Sequence, residues 1–131
     1  MKDPIGDLIT KIKNANGAGH ATVVVPYSKM KAAVLEVLEK EGYVKGISKK
    51  GKKVNKAIEV GLVYDEERKA PRITGVERVS KLSKRVYQKS KDIRAVRSRF
   101  GTLILTTPKG ILTDKEARAE KVGGEALFKI W

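Results

Sequence analysis

The sequence predicts an α+β fold of two small lobes. The N-terminal lobe, residues 1–70, reads α-β-α-β-β, and the C-terminal lobe, residues 71–131, is mostly β with short helices. Three observations predict this. Apolar residues recur at helical spacing in two stretches before Gly42. Alternation at period two takes over in residues 43–64 and returns after Gly101. Between these regions lies Asp65-Glu66-Glu67-Arg68-Lys69-Ala70-Pro71, a charged stretch closed by proline, which suits a link between lobes.

Asp3-Pro4 is a helix start, a capping aspartate followed by proline at the first helical position. Ile5, Leu8, Ile9 and Ile12 make one apolar face, and Asn14-Ala15-Asn16-Gly17 ends the helix. Lys11 and Lys13 lie near its C-terminus, where the helix dipole favours cations, and are read as solvated. Residues 22–25 form a short strand stopped by Pro26. Ser28 caps a second helix, with a buried stripe read as Met30, Ala33, Val34, Val37 and Leu38 and an end at Gly42. Lys29 and Lys31 occupy its first turn, where the dipole disfavours cations; lysines there make sense if phosphate sits close by. Residues 43–48 and 56–64 read as paired strands, with Ile58, Val60, Leu62 and Tyr64 on one face. The connection Lys49-Lys50-Gly51-Lys52-Lys53 is a basic hairpin tip. It is either a solvated loop that protects a sheet edge or a contact to a phosphate backbone.

In the second lobe, residues 72–79 read as a strand in which Gly75 marks a bulge. From Arg78 to Arg99 there are nine basic residues and one acid, Asp92. Leu82, Val86, Tyr87, Ile93 and Val96 interleave with them, so the segment is read as folded rather than as a disordered tail. Ser90 or Asp92 begins a short helix that packs Ile93 and Val96. Leu103, Ile104 and Leu105 form a strand, Thr107-Pro108-Lys109-Gly110 a tight turn, and Ile111 and Leu112 the returning strand of a hairpin. Thr113-Asp114-Lys115-Glu116 is a capping box, in which the threonine oxygen and the glutamate satisfy each other's orphan backbone N–H groups. The short helix that follows is read as stopping at Gly123-Gly124, where glycine tolerates a left-handed cap. The last strand alternates, with Ala126, Phe128 and Ile130 on one face and Leu127, Lys129 and Trp131 on the other.

Composition narrows the chemistry. A chain of 131 residues, 40% hydrophobic, buries enough surface for a core without staples. With no cysteine there is no disulfide framework, thiol chemistry or cysteine-ligated zinc, and the one histidine, His20, has no second ligand type clustered with it. No metal and no cofactor is expected. No apolar run reaches the length of a signal core or a membrane span, so the chain is read as cytoplasmic. Few amide side chains and abundant Lys and Glu hint weakly at a thermophilic source. The net charge of +14 is the strongest signal and implies a polyanionic partner. A membrane surface would want a basic amphipathic helix, and neither long helix is basic enough on one face. Residues 1–66 carry 12 basic against 8 acidic side chains, and residues 67–131 carry 17 against 7, so most anion-binding surface falls on the second lobe.

Phosphate contacts fix register without choosing sequence, so selectivity needs groups that touch bases or sugar hydroxyls. Thr106-Thr107-Pro108-Lys109-Gly110 is the best candidate, because hydroxyls both donate and accept and a turn held between two strands presents them at fixed geometry. RNA suits such a turn better than duplex DNA. A general DNA-binding module is the alternative, and it would need a recognition helix or a minor-groove arm. Catalysis finds no support. The G-x-x-x-x-G-K-[ST] order is absent, no nucleophile has a plausible histidine base, and capping already explains Asp114 and Glu116. No small-molecule substrate is expected.

Matches to a known pattern run in colinear order from Asp3 to Trp131. They comprise DPIGDLITKIKNA, YSKMKAAVLEVLEKEGY, RVSKLSKRVYQK, Thr106-Thr107-Pro108-Lys109-Gly110, Thr113-Asp114, Ala117 with Ala119, and Gly123-Gly124-Glu125. The chain thereby resembles the bacterial small-subunit ribosomal protein eight family. The resemblance implies a structural constituent of the small ribosomal subunit that binds an irregular helix in the central domain of 16S rRNA, alongside neighbouring small-subunit proteins. It further implies a part in assembling the 30S platform and repression of its own operon mRNA through a mimic of the rRNA site. On this resemblance Thr106 and Thr107 match the hydroxyl-rich loop that enters the minor groove and meets an unpaired base. Pro108 stands where the pattern has a third hydroxyl residue; proline can pack against a sugar or base but cannot donate. Gly123, Gly124 and Glu125 match the second part of the RNA-facing surface, and Tyr87, after Lys84 and Arg85, matches its aromatic-basic position. The first lobe is expected to add backbone contacts through Lys29, Lys31 and Lys56.

Overall fold

A computed structural model of the chain describes residues 3–51, 56–67, 69–81, 83–93 and 101–131. They divide into two compact units, Pro4–Thr74 and Gly75–Trp131, the second joined by Asp3.

In the first unit, α1 (Pro4–Gly17) buries Ile5, Leu8, Ile9 and Ile12 as its periodicity predicts. It also buries Asn16, which the sequence presents only as part of a helix end. The Asn16 amide donates to Val63 O at 3.2 Å and accepts from Ile73 N at 3.1 Å, so a buried polar side chain ties two later segments to the helix. Strands β1 (Thr22–Pro26), β2 (Val44–Lys50) and β3 (Ala57–Leu62) form an antiparallel sheet in the order β1-β3-β2. The central strand buries Ile58, Val60 and Leu62. Tyr64 makes only an isolated bridge with Pro71, and the intervening turn closes through Asp65 N donating to Ala70 O at 2.8 Å.

Helix α2 (Lys29–Lys40) is capped by Ser28, whose Oγ accepts from Lys31 N at 3.1 Å, and it is followed by Gly42 at φ +82. Its buried stripe differs from the predicted one. Val34, Leu35 and Leu38 are fully buried, Ala33 and Val37 are half-buried, and Met30 is 41% exposed. Apolar residues between Met30 and Leu38 cover more than one face, so spacing alone does not select the buried arc.

The second unit is a sheet built around its last strand. Strands β4 (Val76–Arg78), β6 (Thr102–Thr107), β7 (Gly110–Thr113) and β8 (Gly124–Ile130) run in the order β4-β8-β6-β7, and β5 (Tyr87–Gln88) also pairs with β8. Gly75 is not at a bulge. Its N–H and C=O pair with Trp131, continuing the β4–β8 register, and an added Cβ would lie 2.6 Å from the Trp131 ring. The irregularity lies instead between β6 and β8, where the register shifts between Ile104 and Leu105. Ile104 pairs with Phe128 and Leu105 with Ala126, so Ala126 and Phe128 follow neighbours that point to opposite faces. This breaks the alternation predicted for the last strand and lets Leu127 be buried as well.

The capping box of α3 (Asp114–Glu120) forms as predicted, with Thr113 Oγ1 accepting from Glu116 N and Glu116 Oε1 accepting from Thr113 N, both at 3.1 Å. Its end does not. The left-handed cap is Lys121, at φ 57, and the two glycines lie beyond it. Asp114, also buried, accepts from Leu103 N at 3.3 Å and so ties α3 to β6. A core of Ile93, Leu103, Leu105, Ala117 and Ala126 forms between them. Ser90–Asp92 forms a single 3₁₀ turn ahead of Ile93, while the predicted packing of Val96 lies outside the described residues.

Candidate nucleic-acid interface

Three segments far apart in sequence meet at one end of the second unit's sheet. The β6–β7 hairpin is the first. Thr107 pairs with Gly110, leaving Pro108 and Lys109 as a two-residue tip, and Gly110 takes φ +108, which suits only glycine. The Thr107 hydroxyl is used within the turn, accepting from Lys109 N at 3.1 Å and donating to Gly110 O at 2.9 Å. The half-buried Thr106 has no such bond among the described residues, so its hydroxyl retains both functions.

The second segment is Gly123-Gly124-Glu125. Thr106 pairs with Glu125 across β6 and β8. A Cβ on Gly124 would lie 2.1 Å from Thr106 O and 3.0 Å from Thr107 Cγ2, and one on Gly123 would lie 2.2 Å from Gln88 O. These glycines are therefore required for close backbone approach rather than for ending the helix. The third segment is β5, where Tyr87 pairs with Glu125 and Gln88 with Gly124. Tyr87 is 71% exposed, a large aromatic face turned to solvent.

Between these segments runs a shallow groove lined by Tyr87, Gln88, Lys89, Ser90, Pro108, Gly123 and Gly124. The Oε1 of Gln88 is buried without a hydrogen-bond partner among the described residues. Nothing in the sequence distinguishes Gln88 in advance. Ser80 is equally unmarked, yet its buried Oγ accepts from Val86 N at 2.7 Å and closes the base of the loop that carries Lys81, Lys84 and Arg85. A backbone pair between Lys81 and Lys84 tightens that loop.

Charge is distributed unevenly around the groove. Arg85 Nη1 donates to Glu125 Oε2 at 2.9 Å, and Glu125 raises the Arg85 pKa, first through that hydrogen bond and then through its charge. Lys109 reaches Glu120 at 3.0 Å, an exposed pair. The exposed side chains of Lys81, Lys84 and Lys89 meet no carboxylate among the described residues. Lys29, Lys31 and Lys56 belong to the other unit, with Lys29 and Lys56 exposed and Lys31 half-buried. Among the described residues no group of three or more His, Cys, Asp or Glu could hold a metal ion, and no helix is long and apolar enough to cross a membrane.

Comparison with known proteins covers the whole of this arrangement. Residues 3–131 match the family model described as Ribosomal protein S8. Proteins named small ribosomal subunit protein uS8 are 47% identical in Mycoplasmopsis synoviae over 132 residues, in Lachnoclostridium phytofermentans over 131 and in Chloroflexus aggregans over 133. In each case the match spans 100% of this chain and 98% of the relative.

Proposed function

The chain belongs to the ribosomal protein S8 family, and from that premise we propose that it is a non-catalytic, structural component of the small ribosomal subunit that binds the central domain of 16S rRNA directly. It acts in the cytoplasm beside other small-subunit proteins and helps assemble the subunit platform. One observation carries the RNA reading: the hairpin tip, the Gly123-Gly124-Glu125 backbone and exposed Tyr87 converge on one surface. Thr106 offers a donor and acceptor to a base edge or 2′-hydroxyl, Tyr87 offers a stacking face, and the glycines let the Thr106 and Gln88 backbones pack close enough to hold the three segments together. Lys81, Lys84 and Lys89 supply phosphate contacts around it, and the Arg85–Glu125 pair holds the groove wall in position. A second RNA that presents the same shape would occupy the same groove, which is the basis for repression of the chain's own operon mRNA.

Footprinting on full-length 16S rRNA tests the reading. Protection confined to a segment of the central domain is expected, together with competition by the leader of the chain's own operon mRNA. Equal affinity for rRNA and random duplex DNA across a salt series would instead support a general DNA-binding module.

A further inference from the structure

We propose that Tyr27 gathers Lys49 and Lys56 into a preformed site for RNA phosphate on the Pro4–Thr74 unit. The proposal rests on the RNA-binding reading above and adds to it a positioning residue and a built site. The sheet register places the three residues together. Tyr27 N donates to Lys56 O at 3.0 Å, which extends the β1–β3 pairing by one residue beyond Pro26 and Ala57. Lys49 pairs with Ile58. Residues directly opposite in an antiparallel pair share a face, and so do residues two apart on a strand. Tyr27, Lys56, Ile58 and Lys49 therefore lie on one face, at the end of the sheet where α2 begins.

The side chains complete what the register starts. Lys49 Nζ lies 5.1 Å from the centroid of the Tyr27 ring and Lys56 Nζ 5.7 Å, both within cation–π range. Two ammonium groups are thus held at one half-buried ring, and neither meets a carboxylate among the described residues. Their neighbour Lys50 does, reaching Glu59 at 2.9 Å. Gathering two unneutralised cations is unfavourable unless an anion is shared between them. A cation–π contact elsewhere in the unit has a different character: Arg72 stacks 4.2 Å from the buried Tyr43 ring, a packing contact with a single cation. At Tyr27 the ring limits where two flexible lysines can go, which lowers the ordering they must undergo when a phosphodiester binds.

Salt-series binding to a 16S rRNA transcript tests this, with thermal melting of each variant as the folding control. Replacing both lysines (K49A with K56A) should lower the slope of log affinity against log salt by about two. Tyr27→Leu should weaken binding by roughly three- to tenfold, while Tyr27→Phe, which keeps the ring face, should match the wild type. In the double-lysine background Tyr27→Leu should add nothing. An unchanged slope in the double-lysine variant overturns the proposal, as does an equal Tyr27→Leu loss with and without the lysines. If Tyr27→Leu does not fold, the two exposed lysines carry the test alone. These failures leave selective rRNA binding by the wild type intact. A wild type with no preference for rRNA over random duplex DNA would remove the underlying reading, and this proposal with it.

Discussion

The two units differ in how they use glycine and charge. In Pro4–Thr74, Gly17, Gly19, Gly42 and Gly46 have open space where a Cβ would go, the last three at positive φ, while Gly61 is closely faced by Lys45 O at 2.6 Å. In Gly75–Trp131, Gly75, Gly123 and Gly124 face backbone or an aromatic ring at under 3 Å from an added Cβ. The sheets differ correspondingly. One joins strands within a short span of chain, and the other centres on the final strand, which pairs with segments up to 54 residues earlier, as in Val76 with Ile130. A surface that attracts phosphate needs only exposed cations, and the first unit supplies those on ordinary elements. A surface that selects one RNA needs segments in fixed contact, and in the second unit such close backbone fits join three segments, Gly123 to Gln88 and Gly124 to Thr106.

The largest expected effect is at Gly124. Its Cβ would meet Thr106 O at 2.1 Å, and that backbone, held in the β6–β8 pairing, cannot yield cheaply. Gly124→Ala should destabilise the protein by about 3 kcal/mol and abolish selective rRNA binding. Gly17→Ala, with nothing within 4 Å and no positive φ, should change stability by less than about 1 kcal/mol. Urea denaturation of the two variants decides it: equal midpoints would erase the distinction between the units.

Ser80 ranks next. Ser80→Ala leaves the Val86 N–H without its acceptor and should cost about 2 kcal/mol. Hydrogen exchange should show the loss first in the Val86 amide. Protection there equal to that of the wild type would mean that Ser80 does not hold the basic loop.

The same contrast explains what could be read in advance. The face of α1, the Ser28 cap, the Thr113–Glu116 capping box and the β6–β7 hairpin depend on residues close in sequence, and all are present. The glycine pair at 123–124 carries a local signal, helix termination, that is real in general but overridden here: Lys121 ends the helix and tertiary contact uses the glycines. The stripe of α2 was ambiguous because its apolar residues cover too wide an arc. Glycine within a strand suggests a bulge, as at Gly75, whereas the actual register shift depends on β6 meeting β8. Within the candidate site, residue types in the turn were legible. The engagement of Thr107 in its own turn was not, and neither were the roles of Ser80 and Gln88, since each depends on a partner supplied by another segment.

The two threonines sharpen the site at smaller magnitude. On the proposed function, Thr106→Ala removes a hydroxyl with both functions available and should weaken rRNA binding by roughly tenfold, about 1.4 kcal/mol, with melting unchanged. Thr107→Ala removes two bonds internal to the turn, so its effect should show in melting as well as in affinity. If Thr107→Ala lowers affinity with no change in melting while Thr106→Ala does nothing, the hydroxyl assignments are reversed.

The smallest expected effect separates charges that are free from charges already engaged. Lys84, whose side chain meets no carboxylate among the described residues, should release about one counterion's worth of salt dependence when it contacts phosphate. Lys84→Ala should therefore lower the salt slope by about one while leaving the preference for rRNA over duplex intact. Lys50, exposed on the other unit, already faces Glu59 at 2.9 Å, so its field is partly neutralised before RNA arrives. Lys50→Ala should change the slope by well under one. The comparison sets two exposed lysines of the same chemistry, one in each unit, against each other, one beside a carboxylate and one not. If Lys50→Ala lowers the slope as much as Lys84→Ala, pairing does not decide which cations bind phosphate, and the +10 carried by residues 67–131 loses its claim to hold most of the RNA-facing charge.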